Sequence, residues 1–169
     1  RPARVPETRR RGRLEVGGDA LEVLENTDRT LVLEPSAVEE RDRAELVEDD
    51  EDSREMLTTF LESQDVKVTA VDTASRALEI LAADEHDLLI SDVGLPGEDG
   101  YELIRKVREL PPEDGGGIPA VALTGFVSVQ DRNQALQAGF QEHLAKPIEI
   151  EELVRIIREL VPRSMHAEP

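Results

Sequence analysis

Residues 86–100 read HDLLISDVGLPGEDG, and this stretch decides the fold. The apolar run of Leu88, Leu89 and Ile90 has no helical spacing, which is typical of a strand buried on both faces of a parallel sheet. The run stops at Asp92, where a loop rich in Gly and Pro begins. Because open α/β sheets usually place their chemistry at the carboxyl ends of their strands, Asp92 is the first candidate for a reactive group.

Strand and helix patterns alternate from Ala44 onward. Strands are predicted at 46–47, 66–71, 88–92, 118–124 and 140–145, and a helical pattern follows each of them. Such alternation predicts an α/β fold, a doubly wound five-stranded parallel sheet with helices on both faces. A flavodoxin-like strand order, 2-1-3-4-5, puts the second strand at an edge, as its alternating polar residues require.

Three details of this pattern are specific enough to check. In the second strand Val66, Val68 and Ala70 are predicted to face the core, since they alternate with polar residues. The second helix is expected to begin at a cap formed by Thr73 or Ser75. The fourth helix is only weakly amphipathic. Its apolar positions are Val129, Ala135, Leu136 and Ala138.

Composition excludes several function classes. The net charge of −18 argues against a folded surface that binds nucleic acid or an anionic membrane. The chain has no cysteine, which rules out a disulfide framework, thiolate chemistry and Cys-ligated zinc. No apolar stretch approaches the roughly 18 residues that span a bilayer, so a cytoplasmic protein is expected. Only 2% of residues are aromatic, so aliphatic side chains must fill the core.

The sequence divides into three parts, with an N-terminal extension at 1–43, the α/β domain at 44–162 and a C-terminal tail at 163–169. Residues 1–13 are rich in arginine and are predicted to be a flexible tail, with a nucleic-acid or membrane contact through residues 9–13 as the alternative. Residues 14–43 are an extra strand and helix or are disordered. Within them Leu31-Val32-Leu33 looks like a strand that Pro35 ends.

Polar side chains follow four of the predicted strands. They are Glu48 and Asp49 after the first strand, Asp92 after the third, Thr124 after the fourth and Lys146 after the fifth. Three carboxylates in one place repel one another unless a cation lies among them, and Mg²⁺ suits such oxygen ligands. Carboxylate, metal, lysine and hydroxyl together describe a site that accepts a phosphoryl group on Asp92. Each residue alone has a plain interpretation, such as a helix-capping acid or a surface lysine.

With these residues in place, the chain from Ala44 to about Val161 resembles the receiver domains of two-component response regulators. The matching motifs are Leu46-Val47-Glu48-Asp49-Asp50, the loop from Asp92 to Gly100, Thr124-Gly125 and Lys146-Pro147. The resemblance implies that Asp92 is phosphorylated and that Mg²⁺ is bound by Asp49, by Glu48 mainly through water, by Asp92 and by the carbonyl of Gly94. Thr124 and Lys146 would bind phosphoryl oxygens, and the peptide before Pro147 would be cis. His143 would be the residue that swings inward when Thr124 moves.

The same resemblance implies the partners. The donor would be a histidine kinase or a histidine phosphotransfer protein. The output would be a protein contact through the fourth helix, fifth strand and fifth helix. The protein would be a phosphoacceptor and not an enzyme, although it could slowly remove its own phosphoryl group. Phe126 is expected to slow that loss by hindering an attacking water.

One departure from the family pattern supports a rival function. The family usually begins the first strand with four or five apolar residues, whereas here Arg43-Ala44-Glu45 precedes Leu46, and a charge in a central strand is costly unless it is paired or solvated. A degenerate receiver that binds partners without phosphorylation is therefore the main alternative. A dehalogenase-like phosphohydrolase would need a second Asp at position 94, and a flavodoxin would need aromatic residues, so both fit less well.

Overall fold

The computed structural model describes residues 42–125 and 128–161, together with the backbone of three strands at 11–16, 19–25 and 31–35. Its contacts divide the chain into two units, Arg1–Glu40 and Arg41–Pro169. Among the described residues, no helix is both long enough and apolar enough to span a bilayer.

The first unit contains a three-stranded antiparallel sheet in the order β1-β2-β3. The strands are β1 (Arg11–Val16), β2 (Asp19–Glu25) and β3 (Leu31–Pro35). The strand predicted at Leu31-Val32-Leu33 is therefore confirmed, with Pro35 at its end. The flexible tail predicted for residues 1–13 is wrong at residues 11–13, because they pair with β2 and so satisfy their backbone groups. Residues 1–10 lie outside the described residues.

The second unit contains five strands that alternate with five helices. The strands are β4 (Arg43–Val47), β5 (Lys67–Val71), β6 (Leu88–Asp92), β7 (Ala120–Thr124) and β8 (Glu142–Ala145). The helices are α1 (Glu51–Ser63), α2 (Ala74–Ala83), α3 (Gly100–Glu109), α4 (Val129–Ala138) and α5 (Ile150–Leu160). All neighbouring strands are parallel in the order β5-β4-β6-β7-β8, which confirms the predicted flavodoxin-like sheet.

The sheet separates two apolar layers. One layer joins Val47 and Leu89 to buried residues of α2, α3 and α4. The other joins Leu46 and Ile90 to buried residues of α1 and α5. Every residue of β6 is buried, as its continuous apolar run predicted. Because helices pack on both faces of the sheet, the carboxyl ends of β4, β6, β7 and β8 are held in fixed positions relative to one another.

The helix starts follow local sequence signals. Asp50 caps α1 by accepting a hydrogen bond from Ser53 N, and Asp99 forms a capping box with Glu102 at the start of α3. The cap of α2 is Thr73, one of the two predicted residues, and it accepts from the backbone N–H of Arg76. The acids after β4 are therefore of two kinds, since Asp50 caps a helix and Asp49 remains available to the site.

The prediction for the buried face of the second strand is wrong at one residue, and the weak amphipathicity predicted for the fourth helix is confirmed. Val66 is buried as predicted, but Ala70 is exposed whereas Val71 is buried, and β5 is an edge strand that pairs only with β4. In α4 Val129 is 79% exposed and Leu136 is 41% exposed, so only Ala135 and Ala138 pack against the sheet. Helix α4 is consequently attached through two small side chains.

The first strand of the sheet forms in full despite its charged residues. Residues 43–47 of β4 pair with β5 on one side, and residues 44–47 pair with β6 on the other. Glu45 lies in the middle of this strand with an exposed fraction of 0%. The strand therefore ends at Val47, and Glu48 follows it directly at the carboxyl end of the sheet, where the predicted site lies.

Candidate functional site

The carboxyl ends of β4 and β6 bring three acidic side chains together. Carboxylate oxygens of Glu48, Asp49 and Asp92 all lie within 4.8 Å of one another. Glu48 and Asp92 are buried, whereas Asp49 is exposed. The loop that carries Glu48 is fixed to the sheet because its backbone N–H donates to the carbonyl of Val71 at 3.0 Å. The structure thus gathers the three carboxylates that the sequence singled out.

Lys146 places a positive charge directly against two of these carboxylates. Its Nζ donates to Oε2 of Glu48 at 2.8 Å and to Oδ2 of Asp92 at 3.1 Å. Burial alone would lower the pKa of this ammonium, but the hydrogen bonds to both carboxylates raise it above its ordinary value. Lys146 therefore stays charged and partly neutralises the acidic cluster.

Glu48 is the most deeply buried carboxylate of the cluster. Its side chain is 1% exposed, and its Oε1 accepts a hydrogen bond from the backbone N–H of Asp50 at 3.1 Å. Burial raises the pKa of Glu48, and the hydrogen bond from Lys146 opposes that rise. Both oxygens of this carboxylate therefore have donors.

Asp92 is held by the loop that follows it. Its Oδ1 accepts from the backbone N–H of Gly94 at 3.0 Å, so the loop folds back over the carboxylate. The start of α3 packs closely against the backbone of Asp92 and Val93. A Cβ atom at Gly100 would lie 2.4 Å from the carbonyl oxygen of Asp92 and 2.8 Å from Cα of Val93, so only glycine fits there. Gly100, the last residue of the stretch 86–100, thus helps to position Asp92.

Arg54 belongs to the surroundings of the site, although the sequence analysis did not select it. Its Nη1 donates to the carbonyl of Glu48 at 2.9 Å and to the carbonyl of Asp49 at 3.3 Å. The guanidinium of this residue, near the start of α1, thereby holds the backbone of Glu48 and Asp49, which we call the acidic turn. The sequence contained a signal for this contact. Arg54 follows the Asp50 cap by four residues, so one turn of the helix brings its side chain back towards the residues that precede the helix.

The remaining predicted residues lie at the ends of β7 and β8. Thr124 is 4% exposed at the last position of β7, and its carbonyl accepts from the backbone N–H of Lys146 at 2.7 Å. The peptide bond between Lys146 and Pro147 is cis, as predicted. Thr124 is paired in register with Ala145 and Ala122 with His143, so all four share one face of the sheet.

His143 lies two residues before the last residue of β8 and is half-buried. Its Nε2 is buried and has no hydrogen-bond partner among the described residues. The imidazole therefore shares a sheet face with Thr124 without being fixed there by a bond from Nε2. Phe126, predicted to slow loss of a phosphoryl group, lies outside the described residues.

The donor set of the cluster fits a hard divalent cation. Its side-chain ligands are all carboxylate oxygens, which Mg²⁺ prefers over nitrogen or sulfur. The exposed carboxylate of Asp49 leaves one side of the cluster open to solvent, where such an ion keeps part of its water shell.

Comparison with known proteins agrees with this arrangement. A family model described as the response regulator receiver domain matches residues 45–158. The chain is 42% identical over 114 residues to an uncharacterized 14.6 kDa protein in the sodA1 3' region of Leptolyngbya boryana, a match that covers 68% of this chain and 86% of that protein. It is 37% identical over 119 residues to the two-component response regulator PhoP of Pseudomonas aeruginosa, covering 70% of this chain and 51% of PhoP. The chain thus spans about half the length of PhoP.

A solved structure shows the same likeness. The receiver domain of the sensor histidine kinase PA1611 from Pseudomonas aeruginosa PAO1, which has a magnesium ion coordinated in its active site cleft, is 32% identical to this chain. The two superpose with a TM-score of 0.66, over 72% of this chain and 98% of that domain. Since the family model covers more than half of the sequence and the parallel sheet has the expected order, this chain belongs to the response regulator receiver domains of two-component signalling.

Proposed function

We propose that the receiver domain of this chain accepts a phosphoryl group on Asp92. The observation that carries the proposal is the position of Lys146, whose Nζ lies between Oε2 of Glu48 and Oδ2 of Asp92. An acceptor carboxylate needs a nearby cation, because the incoming group brings additional negative charge. Lys146 supplies that cation from a strand end on the opposite side of Asp92 from Glu48.

The reaction is an in-line displacement at phosphorus. A carboxylate oxygen of Asp92 forms a bond to phosphorus while the bond between phosphorus and the donor breaks, and the electron pair of that bond leaves with the donor. Lys146 then moves from Oδ2 to a phosphoryl oxygen, and the hydroxyl of Thr124 donates to another. Charge on the new phosphoryl group is thereby balanced within the site.

The carboxylates of Glu48, Asp49 and Asp92 and the carbonyl of Gly94 would hold a Mg²⁺ ion. Such an ion supplies charge stabilisation for the phosphoryl oxygens during transfer. The oxygen-only donor set supports this assignment. The magnesium ion in the active site cleft of the PA1611 receiver domain, which is 32% identical to this chain, gives further support.

The partners follow from the same proposal. The donor is a phosphohistidine of a histidine kinase or of a phosphotransfer protein, since receivers of two-component systems act with such partners. Phosphorylation draws Thr124 inward and lets His143 follow, and the face formed by α4, β8 and α5 changes its contact with a downstream protein. The weak attachment of α4 through Ala135 and Ala138 supports movement of this face. A cytoplasmic location and the absence of nucleic-acid binding stay predictions from the sequence.

The experiment that tests the proposal is an intact-mass measurement on the full chain. The protein is incubated with Mg²⁺ and acetyl phosphate beside Asp92→Asn and the control Asp114→Asn, which changes an exposed carboxylate in the same way. We expect one added phosphoryl mass in the parent and in the control, and none in Asp92→Asn. A folded parent that gains no mass and binds no Mg²⁺ in a titration would establish the degenerate, phosphorylation-independent receiver instead.

A further inference from the structure

Glu45 is a buried carboxyl group that the proposed chemistry does not use. It lies in the middle of β4 with an exposed fraction of 0%. Neither Oε1 nor Oε2 has a hydrogen-bond partner among the described residues. Burial raises the pKa of this group from its ordinary value of 4.5 to about 8. Because an unpaired charge inside a protein is costly, the folded domain holds Glu45 protonated at neutral pH.

Glu45 lies on the face of the sheet that α2 covers. Glu45 is paired in register with Thr69 of β5 and with Leu89 of β6. It alternates with Ala44 and Leu46, which pack in the layer of α1 and α5. Its side chain therefore lies on the opposite face, in the layer that contains Leu89 and the buried alanines of α2.

The neighbouring elements do not supply a countercharge. The titratable side chains on the elements around this face are those of Arg43 on β4 itself and of Lys67, Arg76, Glu79, His86 and Asp87. The ring of His86 lies 3.5 Å from the hydroxyl of Thr69, and burial lowers its pKa, which favours the neutral form. The charged residues of α1 belong to the other face of the sheet. Burial is the sole cause of the raised pKa of Glu45, so none of these groups compensates its charge.

We propose that the proton on Glu45 is a switch that controls the metal-binding end of β4. Glu48 and Asp49 follow on the same chain segment, immediately after the strand ends at Val47. When Glu45 loses its proton, its carboxylate is a fully buried charge with no hydrogen-bond partner among the described residues, and the middle of β4 must shift to admit solvent. That shift withdraws Glu48 and Asp49 from Asp92. Withdrawal of these two residues weakens Mg²⁺ binding, and only this consequence rests on the proposed function.

The sign of the pH effect follows from the two protonation states. The folded domain holds the Glu45 proton more tightly than the unfolded chain, so stability falls as pH rises from about 4.5 to about 8. Across that window the unfolding equilibrium constant should increase about tenfold per pH unit relative to a variant without the carboxyl group. Above it the folded domain itself loses the proton, and β4 shifts.

The test compares the full chain with Glu45→Gln and Glu45→Met, and with Glu79→Gln as a control at an exposed glutamate of α2. Urea unfolding is followed from pH 5.5 to 8, and amide hydrogen exchange of residues 43–49 is measured at pH 7 and pH 9. Mg²⁺ affinity is measured by calorimetry at the same two pH values. Comparing variants at one pH removes the intrinsic pH dependence of exchange. The two variants at position 45 guard against a folding defect in either one.

We expect the parent and Glu79→Gln to show the steep fall in stability, faster exchange in β4 at pH 9, and Mg²⁺ binding at least severalfold weaker at pH 9 than at pH 7. The Glu45 variants should lack all three effects. The same pH profile in the parent and in the Glu45 variants would overturn the switch, as would a stability effect with unchanged exchange in β4. If exchange follows the prediction but no variant binds Mg²⁺ at any pH, the proposed function fails and the switch in β4 stands.

Discussion

The ammonium nitrogen of Lys146 lies 2.8 Å from Oε2 of Glu48, and this contact joins two strand ends that are not neighbours in the sheet. Between β4 and β8 lie β6 and β7, whose ends carry Asp92 and Thr124. The contact therefore spans the whole candidate site. Lys146 partly neutralises a buried carboxylate of the cluster that we propose holds Mg²⁺, and the consequences can be measured.

Lys146→Met should lose phosphorylation and should also be less stable without Mg²⁺. The substitution removes both hydrogen bonds of the ammonium and leaves the buried Glu48 carboxylate without its cation, which costs about 2–3 kcal/mol. Mg²⁺ should then raise the thermal midpoint more in the variant than in the parent, since the ion no longer competes with Lys146. Calorimetric scans with and without Mg²⁺ measure this difference.

The matched control is Lys106→Met, which removes a lysine paired with Glu98 at the surface of α3. It should keep the Mg²⁺ shift and the phosphorylation of the parent, because exposed ion pairs contribute little. An equal Mg²⁺ shift in Lys146→Met and in the parent would show that Lys146 and the cation do not compete.

Arg54→Gln should weaken Mg²⁺ binding although Arg54 donates to backbone carbonyls of the acidic residues and not to their carboxylates. Its guanidinium holds the carbonyls of Glu48 and Asp49, and loss of groups that orient ligands typically costs about 10-fold or more in metal affinity. Arg76→Gln is the control, since Arg76 of α2 forms an exposed pair with Asp72, which precedes that helix. Calorimetric titration of Mg²⁺ decides the point, and equal affinities for the two variants would contradict the orienting role.

Gly100→Ala should destabilise the domain and reduce the phosphorylation of Asp92. The added Cβ would lie 2.4 Å from the carbonyl oxygen of Asp92, so the start of α3 or the acceptor segment must move, at a cost of about 1–3 kcal/mol. Gly117→Ala is the control, because no atom lies within 4 Å of a Cβ built at Gly117. Urea unfolding and intact-mass measurements are compared. Parental behaviour of Gly100→Ala would show that the loop adjusts freely.

Arg108→Met should loosen the end of α4 that lies farthest from the acceptor site. The guanidinium of Arg108 donates to the carbonyls of Gly116 and Gly139 and to Oε1 of Gln141, so it ties α3 to the segment between α4 and β8. Removing these bonds from a half-buried site should cost about 2–3 kcal/mol. Amide hydrogen exchange should rise at residues 135–141 and stay unchanged in the exposed control Arg105→Met. Unchanged exchange in both variants would contradict the tie.

The sequence by itself determined the order of the strands and helices in the receiver unit. The signals for these elements are local: continuous apolar runs such as Leu88-Leu89-Ile90, apolar residues at helical spacing, and caps such as Thr73. Because local interactions form the elements, these signals predict them correctly. Parallel strands then share one edge for their carboxyl ends, so the positions of Asp92, Thr124 and Lys146 in the sequence sufficed to predict a common site.

Only the tertiary structure decided which groups in that site touch. The bridge from Lys146 to Glu48, the clamp of Arg54 on the acidic turn and the close approach of Gly100 to Asp92 all join parts of the chain that no periodicity relates. The structure also decided that Val129 is exposed and that Glu45 is fully buried. The physical reason is that burial and pairing depend on what packs against a residue through space, which a local pattern of apolar and polar residues does not encode.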